Sequence, residues 1–224
     1  IAADESNGGL FLHYQPILDL KSNRICCYEA LARLNIEGLG PVSPLEFIPI
    51  AEKTKLIIPI GRKIMLQAFR FLDKLKKNGY EAISVSINVS AIQLLRNGFA
   101  NSLFEMIDEM HVSPENIILE ITESVFTSNY EEVNRILGEL MEVGIHIAID
   151  DFGTGYSSLS REMDLNVNCL KIDRSFISRL MHLKPEDAIT GDIVSIAHKL
   201  GHLVVAEGVE HEKQREYLSE YGCD

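Results

Sequence analysis

The chain has 224 residues, 46% of them hydrophobic, enough for one sizeable core and somewhat more than a typical small domain. Its 33 acidic residues against 21 basic ones give a net charge of −12, which argues against gripping long DNA or RNA through the phosphates. A small phosphate ligand stays open, provided that divalent cations bridge acid to phosphate.

Residues 1–9 end in the polar run ADESNGG, lack an initiator Met and read as a linker or the cut edge of a longer chain, with one domain over 10–224. With no signal peptide and no run of 18 apolar residues, the expected location is the cytoplasm, possession of a membrane anchor elsewhere in the protein being left open. The first two strand patterns, LFLHYQPIL and RICCYEALA, are separated by the turn-like DLKSN and suggest a hairpin. GRKIMLQAFRFLDKLKKNGY follows, with apolar residues at helical spacing and a Gly stop. Then come the strands ISVSINV and NIILEIT, the helix YEEVNRILGELMEVG, the strands IHIAID and NCLKID, the helix PEDAITGDIVSIAHKLG and the strand HLVVAE. Strands alternating with amphipathic helices are the pattern of βα units around a parallel sheet. Seven such strands over this length suggest a TIM-type barrel, with a doubly wound open sheet as the alternative. DFGTG lacks the spacing of a dinucleotide-binding loop.

The strands share one property: polar groups stand at or near their C-terminal ends. YEALAR carries Glu29 and Arg33, SINVS carries Asn88, and LEITES carries Glu120 and Glu123. AIDD carries Asp150 and Asp151, LKID carries Lys171 and Asp173, and VVAEGVE carries Glu207 and Glu210. In a parallel barrel these ends meet at one mouth. Taken singly, each is commonly a helix cap or a loop ion pair; Asp173 before RSFISRL, Glu123 and Glu210 suit that reading. Agreement across five strands points further. The convergent donors are oxygens with one cation, Lys171, which favours Mg²⁺ or Mn²⁺ over zinc. Adjacent carboxylates at the end of an apolar strand resist desolvation and repel each other; two divalent cations would compensate Asp150 and Asp151, as in metal-assisted attack on a phosphodiester.

Other chemistries find little support. Cys26, Cys27, Cys169 and Cys223 form no CxxC pair; the first three lie in apolar runs and are expected as reduced core thiols. The histidines form no zinc motif, and there is no GxSxG elbow.

YEALAR, SINVSA, LEITES, DDFGTGYSSL, LKIDRSF and VVAEGVE, in this order, resemble the EAL family of cyclic-di-GMP phosphodiesterases, and YQPI and FIPIAE match as well. The resemblance spans nearly the whole chain. It implies a modified TIM (β/α)8 barrel whose first strand is antiparallel, and opening of cyclic di-GMP to linear 5′-pGpG with two Mg²⁺ or Mn²⁺, Ca²⁺ being inhibitory. It implies that Glu29, Asn88, Glu120 and Asp150 ligate one metal and that Asp150 and Asp151 hold the second. Lys171 would orient the attacking water, and Glu207 would act as general base or metal-linked carboxylate. Glu123 would hold the DFGTGYSS loop, with Glu210 as a further loop-stabilising residue. Arg33 would contact a substrate phosphate, and Gln15 would lie near the substrate. A homodimer, and fusion to sensory or GGDEF domains, are the expected partners besides cyclic di-GMP. Arg33-Leu34 replaces the usual Arg-Trp, and the chain stops at EYGCD, before the family's Gln-Gly-Tyr strand; the native protein is therefore expected to continue with an eighth strand. The rival function is an inactive module that only senses the dinucleotide. An acidic two-metal phosphodiesterase for another substrate is a third reading.

Overall fold

The computed structural model describes residues 9–127, 129–153, 165–184 and 187–224. All seven expected strands form: β1 (Gly9–Asp19), β2 (Arg24–Ile36), β4 (Ser84–Asn88), β5 (Ile117–Thr122), β6 (His146–Phe152), β7 (Cys169–Ile172) and β8 (Leu203–Ala206). One strand escaped the sequence reading. The short β3 (Gly40–Val42) pairs antiparallel with β2, Leu34 facing Val42. The sheet order is β1-β2-β4-β5-β6-β7-β8, with β3 on β2 beside this path. The β2–β4, β6–β7 and β7–β8 pairs are parallel, as helical crossovers require.

The helices are α1 (Pro44–Lys53), α2 (Ile57–Lys77), α3 (Ala91–Leu94), α4 (Phe99–Met110), α5 (Tyr130–Glu142), α6 (Arg174–Arg179), α7 (Thr190–Lys199) and α8 (Glu212–Glu220). Local chemistry sets their ends. Ser43 and Glu46 form a capping box at the start of α1, with Pro44 in its first turn. Helix α2 starts four residues before the expected Gly61. It ends in a basic turn of Lys74, Lys76 and Lys77, where cations meet the negative end of the helix dipole. Among the described residues no helix is long and apolar enough to cross a membrane.

The chain divides into two compact units. The first comprises residues up to Leu18, Ile25–Leu119 and Glu142–Ile145. Its core sets Val85 and Ile87 of β4 with Ala68 and Phe69 of α2 and Leu103 of α4, all at most 1% exposed. The second comprises Asp19–Arg24, Glu120–Met141 and His146–Asp224. It buries Ile147 and Ile149 of β6, Leu170 and Ile172 of β7 and Val204 of β8 beneath Leu137, Leu140 and Val194. β6 and β7 read as near-continuous apolar runs because strands of a parallel sheet are covered on both faces.

All four cysteines are free thiols, but Cys26 is exposed rather than in the core. Successive side chains of a strand point to opposite faces, so of the neighbouring pair Cys26-Cys27 only Cys27 is buried.

Candidate active site

In the first unit, Glu29 on β2 stands in register with Ser86 on β4. Two residues further along β4, Asn88 lies on the same face as Ser86, and its Nδ2 donates to Glu29 Oε1 at 3.2 Å. Arg33, four residues after Glu29, is half-buried and donates through Nη1 to the carbonyl of Ala32 at 2.9 Å. Gln15 is exposed on β1.

The second unit assembles a charged cluster around Lys171, a lysine only 2% exposed. Its Nζ lies 2.6 Å from Glu207 Oε1, 2.9 Å from Glu120 Oε2 and 3.3 Å from Asp150 Oδ1. Glu120 is itself 1% exposed on β5. A buried ammonium is tolerated only with matched anions, and three strand ends supply them. Glu207 follows β8 directly, its backbone N–H donating to the carbonyl of Ile172 at 3.0 Å.

Asp150 and Asp151 would face opposite sides in a regular strand. The β6–β7 register shifts between Ile149 and Phe152, and Asp151 adopts a left-handed φ of 56°. This bulge turns both carboxylates the same way. One oxygen from each of Asp150, Asp151 and Glu207 lies within 4.8 Å of the others. The Asp151 N–H also donates to Asp150 Oδ1 at 3.1 Å. Although its side chain is largely open, partial burial pushes the Asp151 carboxyl above its ordinary range, reinforced by Asp150 and Asp173 and opposed by Lys171. Excess negative charge at this point, carried only by hard oxygen donors, suits a divalent cation such as Mg²⁺ or Mn²⁺.

The remaining expected residues divide. Asp173 caps α6 as its position suggested, its Oδ1 accepting from the Ser175 N–H at 2.9 Å, and the Ser175 side chain, with this N–H in support, holds its carboxyl below the usual range. Glu123 is 7% exposed and opens the 3₁₀ turn Glu123–Thr127 after β5. Most of the loop it was expected to hold, residues 154–158 of DFGTGYSS, lies outside the described residues. The Glu210 side chain is exposed, while its N–H donates to Gln214 Oε1 at 2.8 Å. Burial pushes the Cys169 and Cys223 thiols up to about 12, so neither is a thiolate at neutral pH. The sequence reading does not single out Gly153, Gly208, Arg174 and Gln214, which meet at α6 beside the segments after β6 and β8; glycines directly after DDF and within EGVE were the available signal.

Strand ends carrying these carboxylates in a parallel α/β sheet define a class of proteins, and comparison with known proteins identifies it. The EAL domain family matches residues 2–224. The chain belongs to the EAL-domain family, and its α/β fold is the TIM-barrel-like fold of that family. It is 38% identical over 215 residues to the bifunctional diguanylate cyclase/cyclic di-GMP phosphodiesterase MucR of Pseudomonas aeruginosa, covering 96% of this chain and 31% of that protein. It is 34% identical over 215 residues to the cyclic di-GMP phosphodiesterase PA2567 of the same organism, covering 96% and 36%. The signaling protein YkoW of Bacillus subtilis is 38% identical over 218 residues, covering 97% and 27%. The chain therefore spans about a third of the length of these curated relatives. Among solved structures, the PaMucR phosphodiesterase in complex with c-di-GMP matches with a TM-score of 0.90 at 38% identity, over 96% of this chain and 87% of that one.

Proposed function

We propose that this EAL domain hydrolyses cyclic di-GMP to linear 5′-pGpG in a two-metal reaction. The observation that carries the reading is the grouping of Asp150, Asp151 and Glu207 oxygens beside the buried Lys171. The likeness to MucR and PA2567, both named as cyclic di-GMP phosphodiesterases, supports it. In this reading Glu29, Asn88, Glu120 and Asp150 would hold one Mg²⁺ or Mn²⁺, and Asp150 and Asp151 would hold the other. Bound there, the cations supply Lewis acidity toward the scissile phosphate and the attacking water.

The chain's own residues do the rest. Lys171 orients the water through its fixed ammonium. Glu207, held on Lys171, accepts the proton as the water attacks. Arg33 pairs with a substrate phosphate, and Gln15 contacts the substrate. Glu123 steadies the loop after β6, and Glu210 supports the segment behind Glu207. The reading includes a homodimer and attached sensory or GGDEF domains, in keeping with the greater length of the relatives.

The test is incubation with cyclic di-GMP and Mg²⁺ or Mn²⁺, with products separated by chromatography and identified by mass. Linear 5′-pGpG that disappears on chelation is the expected result. Tight binding of unaltered cyclic di-GMP would establish the sensor reading instead. Turnover of other phosphodiesters but not this one would overturn the substrate assignment.

A further inference from the structure

The segment that carries Glu207 is strapped to the end of β7 and to α6 at three points. Before the turn, the Glu207 N–H donates to the carbonyl of Ile172 at 3.0 Å, two residues before α6 begins. At the turn, Gly208 has φ +70°, and a Cβ placed on it would stand 2.5 Å from the Cβ of Arg174. That separation is far inside any ordinary contact, so the backbone runs directly against the first residue of α6. After the turn, the Glu210 and His211 N–H groups donate to Gln214 Oε1 at 2.8 and 2.9 Å. Gln214 is 2% exposed, and its Nε2 donates at 3.0 Å to the carbonyl of Ile177 in α6. One buried side chain thus satisfies three backbone groups and ties the segment back to the helix.

The other carboxylate-bearing segment meets the same helix. Gly153, just past the Asp150-Asp151 bulge, has φ +90°, and a Cβ there would lie 3.1 Å from the ring of Phe176. Helix α6 is itself anchored by the Asp173 cap and by Ile177, which is fully buried. It therefore touches the segments after β6 and β8 while following β7, which bears Lys171.

We propose that Arg174 and Gln214 are positioning residues for the carboxylate cluster: the Arg174 Cβ is the stop on which Gly208 seats, Gln214 clamps the far side, and together they set Glu207 against Lys171, Asp150 and Asp151. The role given to Arg174 needs only its Cβ, and the Gln214 amide is engaged with backbone groups. Their effect is on the spacing of groups that bind metal, which outer supports of a metal site control strongly. This inference rests on the metal reading above and concerns only how the protein holds its carboxylates.

The experiment measures Mn²⁺ uptake by calorimetry and electron paramagnetic resonance, with far-UV circular dichroism as the check on folding. Gly208→Ala should weaken Mn²⁺ binding by about 10- to 100-fold, the range seen when supports behind metal ligands are lost. Adding Arg174→Gly removes the atom that the new methyl strikes but leaves the strain of an alanine at φ +70°, so the double variant should recover part of the loss. Gln214→Met should weaken Mn²⁺ binding without help from Arg174→Gly. A folded Gly208→Ala protein with wild-type affinity would overturn the proposal, as would a double variant no better than the single one. Should Gly208→Ala fail to fold, a double variant that folds and binds supports the stop; one that stays unfolded or folds without binding overturns it. A wild-type protein that takes up no Mn²⁺ would bring down the metal reading itself. Normal wild-type uptake with no rescue would bring down this inference alone.

Discussion

Lys171 shows what a single buried charge can decide. Four carboxylates, from Glu120, Asp150, Asp151 and Glu207, gather near one ammonium, and the three direct partners lie at 2.9, 3.3 and 2.6 Å. Removing one partner of a buried ion pair leaves an uncompensated charge in a low-dielectric site. Lys171→Met should therefore destabilise the metal-free protein by about 3–5 kcal/mol, and Mn²⁺ should restore more stability to the variant than it adds to the wild type. Urea melts with and without Mn²⁺ read this directly; a variant with an unchanged midpoint would contradict it. Lys171→Ala should also slow turnover more than it weakens substrate binding, because a group acting on the water matters mainly in the transition state. Near-normal kcat in that variant would remove lysine from the reaction.

At the scale of elements, the bulge in β6 is what makes two neighbouring aspartates useful together. Left-handed backbone is tolerated by Asp and Asn and is costly for β-branched residues. Asp151, at φ 56°, separates the two effects. Asp151→Asn should keep the fold and lose Mn²⁺ affinity, whereas Asp151→Val should in addition lose about 1–2 kcal/mol of stability. Equal urea midpoints for the two variants would show that the backbone there carries no strain. The strands and their polar ends were legible in the sequence because a parallel strand buried on both faces must be apolar until it leaves the sheet. IHIAIDDF announces where β6 ends in this way. The bulge was not legible, since Asp151's φ depends on pairing with β7, whose residues lie about twenty positions away. Cys26 misled for a related reason: composition says that β2 is apolar, but only the pleat says which face is covered. Helix α4 is legible from Phe99, Leu103, Met106 and Ile107 at helical spacing, although the strand-by-strand reading above does not include it. The seat of Gly208 on Arg174 joins positions 34 residues apart by sequence and belongs to tertiary packing alone.

At the scale of the whole molecule, cation binding and folding are linked, because the carboxylates form a site only when assembled. Mg²⁺ or Mn²⁺ should raise the melting temperature as well as support activity, and Ca²⁺, with its longer and looser coordination, should support little turnover. Full activity after exhaustive chelation would contradict the reading. A second linkage involves the proton and lies away from the site. The Asp224 carboxylate takes Lys21 Nζ at 2.6 Å, His198 Nε2 at 2.8 Å and the Val204 N–H at 3.0 Å, while the Asp224 carbonyl accepts from the Leu20 N–H at 2.8 Å. It joins β8, α7 and the turn after β1 within the second unit. Burial alone would push this carboxyl up, but the Lys21, His198 and Val204 contacts together hold it below its ordinary range. The folded protein thus keeps Asp224 ionised at a pH where the unfolded chain would protonate it. The resulting stability is present above the ordinary carboxylate range and is lost as pH falls through the lowered value. Lys21 is largely exposed, so solvent screens its contribution, and the His198 and Val204 hydrogen bonds add to it. Asp224→Asn should cost about 1.5–3 kcal/mol at neutral pH, the scale of hydrogen bonds to a charged group. The gap between variant and wild type should narrow as pH falls below the carboxylate range, because the wild type then loses the same interaction. Urea midpoints of both proteins across that range decide the matter, and a gap that stays constant down to strong acid would show that Asp224 acts by packing rather than by charge.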